Sequence, residues 1–507
     1  MVVFRQSLLK VYSFYLGFLI SLFLRFIPSK YVLSLFKKTR LDARAIWEYE
    51  RLIFLPEAKY KKIATACYYF FTPVGKGLSW SCSMESTYRI FNLLYAHQID
   101  RHFDATSYIE KEALFIARNL EIHSNNNHIL FNYIGLVIAA EISGEIEGKY
   151  HRQLFSELEK QFNEDGSNFE ASTAYHVLVL ESLCWLMYFF SGLKEKLLKS
   201  FNFSGALRFL SVIKNESGIF IIGDNDSSIC INKMLGCNGT EHLLSKREIQ
   251  LSNISTIIDN LTIDIKGLKG LKGLKGLDIF SDFGLISIQE QEFKLILSNA
   301  NNGQKGKGGH NHNDLLSICF TGYGKNYIVD PGVFLYSINR DKQRSIAQHS
   351  SLYATFNGQV IEPEFFLTKF SMSNKSIRKI NILGPNKILA DYSIRTNEYV
   401  LTLQRVIEYS SKEILVNDSL SSDGFFEDTL ELRSCMYFDK NVRATELGDN
   451  KVVLTNNGCE VLLSFESSCT LNILPAVVNN EYCDFNLSQS LLVSSKKREF
   501  KWLIKLN

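Results

Sequence analysis

The ten cysteines of this 507-residue chain are scattered, and none stands in a Cys-x-x-Cys pair. That spacing excludes a zinc ribbon and a dithiol redox centre, and thiols spread over so long a chain do not read as a disulfide framework. Several lie inside apolar runs and are expected in the core. A field of one charge sign is missing too. The formal net charge is +3, and Lys and Arg are not gathered into one basic patch, which argues against nucleic acid as a partner. Proline is nearly absent between residues 40 and 215. Near the N-terminus the uncharged run Val11 to Leu24 is ended by Arg25 and falls short of the roughly 20 residues of a membrane span. No small-x-small cleavage site follows it, since Phe26-Ile27-Pro28 is a poor one. Residues 1–40 are therefore read as an apolar or amphipathic segment: a signal core, an uncleaved anchor, or a helix lying on a membrane or on the protein body. The expected location is the periplasm or cell envelope, with the cytoplasm as the alternative.

What is present is a large folded chain. A hydrophobic fraction of 46% and a charged fraction of 21% are those of a globular protein, and the length calls for two or three domains. Thirty-seven Phe and 23 Tyr point first to an aromatic core, with a ring-lined, sugar-binding cleft as the second reading. Residues 41–262 read as helical: Glu85 to Ala96, Tyr108 to Leu120, His128 to Ile142 and Ser172 to Phe190 carry apolar residues at three-and-four spacing. Residues 279–507 change to short β-branched and aromatic runs broken by turn residues, among them Phe293 to Leu297, Leu315 to Phe320, Val400 to Tyr409 and Val461 to Phe465, the pattern of a β-sandwich. Helices first and strands later imply separate domains. Between them, residues 263–278 hold a tandem Lys-Gly-Leu repeat, Lys266 to Leu277. It reads as a surface linker rather than a basic anion-binding tether.

The chemistry-bearing residues concentrate in one run. His310-Asn311-His312-Asn313-Asp314 follows Gly306-Lys307-Gly308-Gly309 and precedes the alternating segment Leu315 to Val329. On extended backbone, side chains two apart share a face, and glycines allow a sharp bend beside them. Such a cluster is costly to bury unless it meets a metal, a substrate or a partner charge. Further on, Asp330 lies in the turn Val329-Asp330-Pro331-Gly332, and His349 in Ala347-Gln348-His349-Ser350-Ser351. Two imidazoles and a carboxylate can hold zinc, with water or a further ligand completing the site. On spacing alone, satisfied polar side chains on a sheet face compete with that reading. In the helical half, Ser124-Asn125-Asn126-Asn127-His128 stands at a helix start. A cap explains one asparagine; a further amide and an imidazole there could hold a carboxylate, helped by the positive helix end. The stretch Asp165 to His176 is a turn leading into a helix, where Tyr175, taken alone, reads as a core residue. Gly223-Asp224-Asn225-Asp226-Ser227 reads as an Asx turn, with cation binding as the alternative.

Together these runs resemble the heparinase II/III-like family. Gly308-Gly309-His310-Asn311-His312-Asn313-Asp314, the Val329 to Gly332 turn, and the Gln348-His349-Ser350 segment with Gly358-Gln359 beyond it are similar to its C-terminal domain. Asn127-His128, the Asp165 to His176 stretch and the Gly223 to Asp226 turn follow in the order of its helical half and of related alginate lyases. The resemblance spans about residues 45 to 507. It implies an incomplete (α/α) toroid followed by an antiparallel β-sandwich, with the cleft between them. The implied activity is that of a polysaccharide lyase, breaking a glycosidic bond next to a uronic acid by β-elimination.

The resemblance also distributes roles. Asn127 and His128 would hold and neutralise the substrate carboxylate. Tyr175 and His310 would take the proton and return one to the leaving oxygen, divided between them according to the substrate epimer. A tyrosine base needs a positive or hydrogen-bonding neighbour to stabilise the phenolate. His312, Asp330 and His349 would bind a structural zinc, with Asp314 a candidate to orient an imidazole. Arg89 and Arg344 are read as contacts to acidic sugar groups, or else as surface or paired arginines. The expected partner is an acidic polysaccharide, and without an Arg/Lys-rich cleft run not a heavily sulfated one; the N-terminal segment offers membrane contact. Two other readings remain: a metal-dependent glycan hydrolase using His310, His312 and Asp314 to activate water, and a non-catalytic envelope protein that binds or assembles glycan.

Overall fold

The computed structural model describes residues 47, 50–144, 148–235, 244–261, 276–334, 336, 339–397, 399–423, 430–481 and 484–506. The N-terminal segment 1–40 and the Lys-Gly-Leu repeat up to residue 275 lie outside the described residues. Helices fill the first half: Lys61–Phe71, Ser83–Ile99, Thr106–Arg118, Asn127–Ile142, Lys149–Gln161, Thr173–Phe189, Phe203–Ile213 and Lys246–Asn260. The four segments with clear periodicity are all helical. Two of their starts are capped by side chains, Asn126 Oδ1 accepting the His128 N–H at 3.1 Å and Ser172 Oγ that of Tyr175 at 3.3 Å, which satisfies donors the helix leaves open. Asn127–Ile142 and Thr173–Phe189 are buried along nearly their whole length. A helix apolar on all sides belongs inside a bundle, so these two carry Asn127 and Tyr175 from the interior outward. Among the described residues no single helix is long and apolar enough to cross a membrane, and the eight described cysteines are all free.

From Gly276 the regular elements of the described chain are almost all antiparallel strands. One sheet of eight runs Ile377–Gly384, Lys387–Arg395, Val400–Tyr409, Glu413–Asp423, Glu499–Leu506, Cys459–Phe465, Lys451–Asn456, Val442–Gly448. The other has ten strands, with the main path Thr470–Val478, Asn486–Ser495, Leu430–Phe438, Lys325–Val329, Ser317–Gly322, Phe293–Ser298, Leu285–Gln289, Gly276–Phe280. Strand Gly276–Phe280 takes residues 276–278 from the expected linker.

Two cores result, and residue parity along the strands sorts them. Ile286, Ile288, Leu295, Leu297, Ile318 and Phe320 face the eight-stranded sheet. Leu285, Ile296 and Cys319, one residue out of step, belong with Phe280 and Phe283 to the helical core. A strand's side chains alternate between faces, so this sheet is buried on both sides. Its outer face is the floor on which the helical domain stands. Phe209 of helix Phe203–Ile213 meets Phe280 and Phe283, each with ring centroids 4.9 Å away. Burying each such ring stabilises by about 1.5–3 kcal/mol. Polar contacts flank this contact: Asp165 Oδ2 accepts the Asp282 N–H at 2.9 Å, and Lys294 Nζ donates to Val212 O at 3.0 Å.

Candidate active site

The acidic turn of the helical half meets the histidine run of the β-domain through main chain. Gly223 sits at φ +71°, and a Cβ there would stand 2.7 Å from the carbonyl oxygen of His310 and 2.9 Å from that of Ala171. Only glycine permits this approach. It lets the Asp224 N–H donate to His310 O at 2.9 Å, while Thr173 N–H donates to Ile222 O at 3.1 Å and Ser172 Oγ to Asp224 O at 2.7 Å. The start of the Tyr175 helix, the acidic turn and the histidine run are thereby tied through main chain.

Asp224 is the centre of the site, not a simple Asx turn. Its Oδ2 accepts from His310 Nδ1 at 2.8 Å and Arg340 Nη2 at 2.8 Å; its Oδ1 accepts from His312 Nε2 at 2.9 Å and Arg340 Nη1 at 2.7 Å. Burial opposes its charge, but the Arg340 guanidinium and the imidazole hydrogen bonds hold the carboxyl well below the usual carboxylate range. An ionised carboxylate only accepts, so both imidazole nitrogens facing it carry protons. Neutral His310 then has its lone pair on Nε2, and neutral His312 on Nδ1. His312 is neutral near pH 7, because burial pushes it down to about 4.

The spacing of the histidine run works as the sequence implied, although its residues form no strand. His310 and His312 face Asp224. Asn311 and Asn313 face away, donating to Asn302 Oδ1 at 2.9 Å and Glu362 Oε2 at 2.6 Å. Asp314 Oδ2 accepts the Gly223 N–H at 3.1 Å, and burial lifts its carboxyl to about 6.

Tyr175 and His310, distant in sequence and on different domains, are stacked: ring centroids 3.9 Å apart, planes at 26°. The Tyr175 hydroxyl lies 3.5 Å from that of Tyr336. Arg340 stands over the rings of Tyr336 and Phe370, at 4.7 and 4.9 Å, and its charge reaches the Tyr175 phenol. This is the positive neighbour that a phenolate needs. Asn127 joins through Glu170, whose Oε1 accepts the Asn127 N–H at 2.6 Å and whose Oε2 lies 3.7 Å from His310 Nε2. Asn127 is 1% exposed, yet neither atom of its side-chain amide has a partner. Unsatisfied buried amides are rare and costly, and they mark where a ligand's own polar groups would bind.

Four expected residues are placed differently. His128 turns its Nδ1 to Glu121 Oε1 at 3.1 Å and to Cys82 Sγ at 3.6 Å, because successive helical residues point about 100° apart. Arg89 is instead a paired interior arginine: it is fully buried, forks onto Glu112 at 2.8 and 3.0 Å, donates to Ser79 O and Ser86 Oγ, and lies over Trp80. We expect Arg89→Ala to cost about 3–5 kcal/mol in a denaturant titration, since it strands a buried Glu112, while KM of the folded fraction is unchanged. Arg344 is also buried, over Phe366, with its Nη1 and Nη2 donating to Lys369 O and Thr368 O. One turn earlier, Arg340 is the arginine that enters the site. Asp330 Oδ2 accepts from His349 Nδ1 at 2.7 Å, so it backs one imidazole instead of standing as an equal third ligand.

The zinc reading can be tested on these atoms. His312 Nδ1, His349 Nε2 and Asp314 Oδ1 are buried and without partners, and the two imidazole rings are 5.1 Å apart. Two imidazole donors oriented by Asp224 and Asp330 suit zinc. The three expected ligand atoms are, however, not gathered within 4.8 Å of one another; among the described residues only Cys82, Glu121 and His128 are. His176 is a satisfied core histidine, its Nε2 3.0 Å from Ala206 O.

Asp224, Glu170 and Arg340 were missed as site residues. The first two stand inside stretches already singled out, and a lone carboxylate facing a His-x-His pair was the available signal. Nothing in the sequence separates Arg340 from Arg344.

Comparison with known proteins agrees with this architecture. The family model described as heparinase II/III-like, C-terminal, matches residues 272–503. No curated protein matches the sequence. Among solved structures, heparan sulfate lyase HepC from Pedobacter heparinus is 16% identical, with 90% of this chain and 75% of that one covered and a TM-score of 0.58. Heparinase III is 13% identical, with 84% and 69% covered and a TM-score of 0.60. The chondroitin AC lyase of Streptomyces coelicolor A3, solved with chondroitin sulphate, is 8% identical, with 93% and 75% covered and a TM-score of 0.53. Residues 272–503 are a heparinase II/III-like C-terminal domain, set behind a helical half that gives the whole chain the incomplete-toroid and β-sandwich fold of the polysaccharide lyases.

Proposed function

We propose that this chain, a polysaccharide lyase by its fold and C-terminal domain, cleaves a uronic-acid-containing glycan by β-elimination. The observation that carries the reading is the stack of Tyr175 on His310 at the domain junction. In the elimination a proton leaves the carbon alpha to the carboxylate. Its electron pair becomes a double bond to the neighbouring carbon, the bond from that carbon to the glycosidic oxygen breaks, and the departing oxygen takes up a proton. The two proton-transfer positions are adjacent on the sugar, so the groups that serve them must be adjacent as well. His310 offers Nε2, its other nitrogen being fixed by Asp224; Tyr175 offers a phenol within the field of Arg340. The open amide of Asn127 supplies hydrogen bonds to the substrate carboxylate as negative charge builds there. Zinc, held by His312 and His349 with a carboxylate, would cross-link the segments behind His310. A net charge of +3 suits a uronate polymer without dense sulfation.

The test is to incubate the pure protein with heparan, alginate and bacterial capsular uronate polymers, following near-ultraviolet absorbance and new reducing ends together. Both should rise in step, because the product carries a double bond conjugated to its carboxylate. Reducing ends that appear without absorbance would mean hydrolysis and end the β-elimination reading.

A further inference from the structure

The loop that ends at Asn127 folds back onto the start of helix Ser83–Ile99 and assembles a second constellation, which the elimination does not use. Cys82 Sγ lies 3.4 Å from Glu121 Oε1 and 3.6 Å from His128 Nδ1, and those two atoms are 3.1 Å apart. Zinc bonds of about 2.3 Å to sulfur and about 2.0 Å to nitrogen and oxygen, set tetrahedrally, put the ligand atoms about 3.5, 3.5 and 3.3 Å from one another. The triangle already has those edges.

Its geometry differs from that of a nucleophilic triad. There the thiol and the carboxylate meet opposite nitrogens of the imidazole so that a proton can pass through the ring. Here both meet Nδ1, and the three atoms converge on one point. Glu121 is oriented for this: its Oε2 accepts the Met84 N–H at 3.1 Å and Asn132 Nδ2 at 3.2 Å, and its own N–H donates to Asn132 Oδ1 at 2.9 Å, leaving Oε1 toward the triangle. Such supporting bonds hold metal ligands in place. Cys82 is buried, while the side chains of His128 and Glu121 are 31% and 24% exposed, so an ion can enter from solvent and keep a water in the fourth position. Cys82 precedes one helix and His128 lies in the first turn of another.

We propose that Cys82, Glu121 and His128 form a zinc-class divalent metal site with three protein ligands and an open fourth position. The metal clamps residues 121–128 to the start of helix Ser83–Ile99 and so steadies Asn127. The test titrates the full-length, metal-free chain with cobalt(II). A thiolate-to-cobalt charge-transfer band should appear in the near ultraviolet, saturate at one equivalent per chain, and be lost in Cys82→Ser and in His128→Gln. The imidazoles of His312 and His349 bring no sulfur of their own, and the readout needs no turnover, so failure of the lyase reading leaves this result standing. A folded wild-type protein that shows no such band, or a band that survives in Cys82→Ser, overturns the site; the wild-type spectrum decides the question even if a variant fails to fold.

Discussion

Tyr175→Phe should leave the protein folded and lower the rate of unsaturated-product formation by about a thousandfold, within the range that positioned acid–base groups contribute. The substitution removes one oxygen. It keeps the ring that stacks on His310 at 3.9 Å and gives up the long contact to the Tyr336 hydroxyl at 3.5 Å, so thermal unfolding should move little. KM should change little, because the phenol meets the sugar at the reacting atoms and not at its charged group. A Tyr175→Phe enzyme that retains a tenth or more of wild-type kcat would remove the phenol from the chemistry, and with it the claim that the two domains share one reaction.

Asp224→Asn should be the most damaging single change in the site, abolishing turnover and costing about 3–5 kcal/mol of stability as Arg340 loses its buried counter-charge. The carboxylate accepts four hydrogen bonds, two from imidazoles and two from the guanidinium. Asparagine offers one acceptor and one donor group. Only one of His310 and His312 can then keep its proton on the nitrogen that faces position 224; the other must reverse its tautomer, moving the His310 lone pair off Nε2 or the His312 lone pair off Nδ1. Urea titration reports the stability and the absorbance assay the turnover. Asp341→Asn serves as the control. That side chain is 62% exposed, and its 3.4 Å pair with Arg344 is worth about 1 kcal/mol or less. Equal losses from the two substitutions would contradict the central place given to Asp224.

Much of this was readable before any coordinates. Helical periodicity located Asn127 and Tyr175 on the helices that carry them, and the short β-branched and aromatic runs located some of the strands. The His-x-His spacing correctly implied a shared face, and both imidazoles meet Asp224 although the run forms no strand. What was not readable depended on approach between separate segments. Arg89 lies on a helix whose apolar spacing was legible, but only its meeting with Glu112, 23 residues on, reveals a buried pair. His128 was assigned to the substrate together with Asn127 on the family resemblance, whereas its orientation was settled by Cys82 and Glu121. Arg340 and Arg344 are one helical turn apart, and the phase of that short helix, invisible in sequence, decides which of them reaches Asp224.

The two-sided burial of the large sheet bears on how substitutions will spread through the molecule. Neighbouring positions answer to different masters: Leu295 is fitted to the partner sheet, Ile296 to the helices. A change at Leu295 is absorbed within the sandwich. A methyl group added or lost at Ile296 or Leu285 is felt instead by the helical core, the same packed layer to which Tyr175 belongs. Variation that tunes catalysis can therefore accumulate far from the cleft, on alternate residues of strands that touch no sugar.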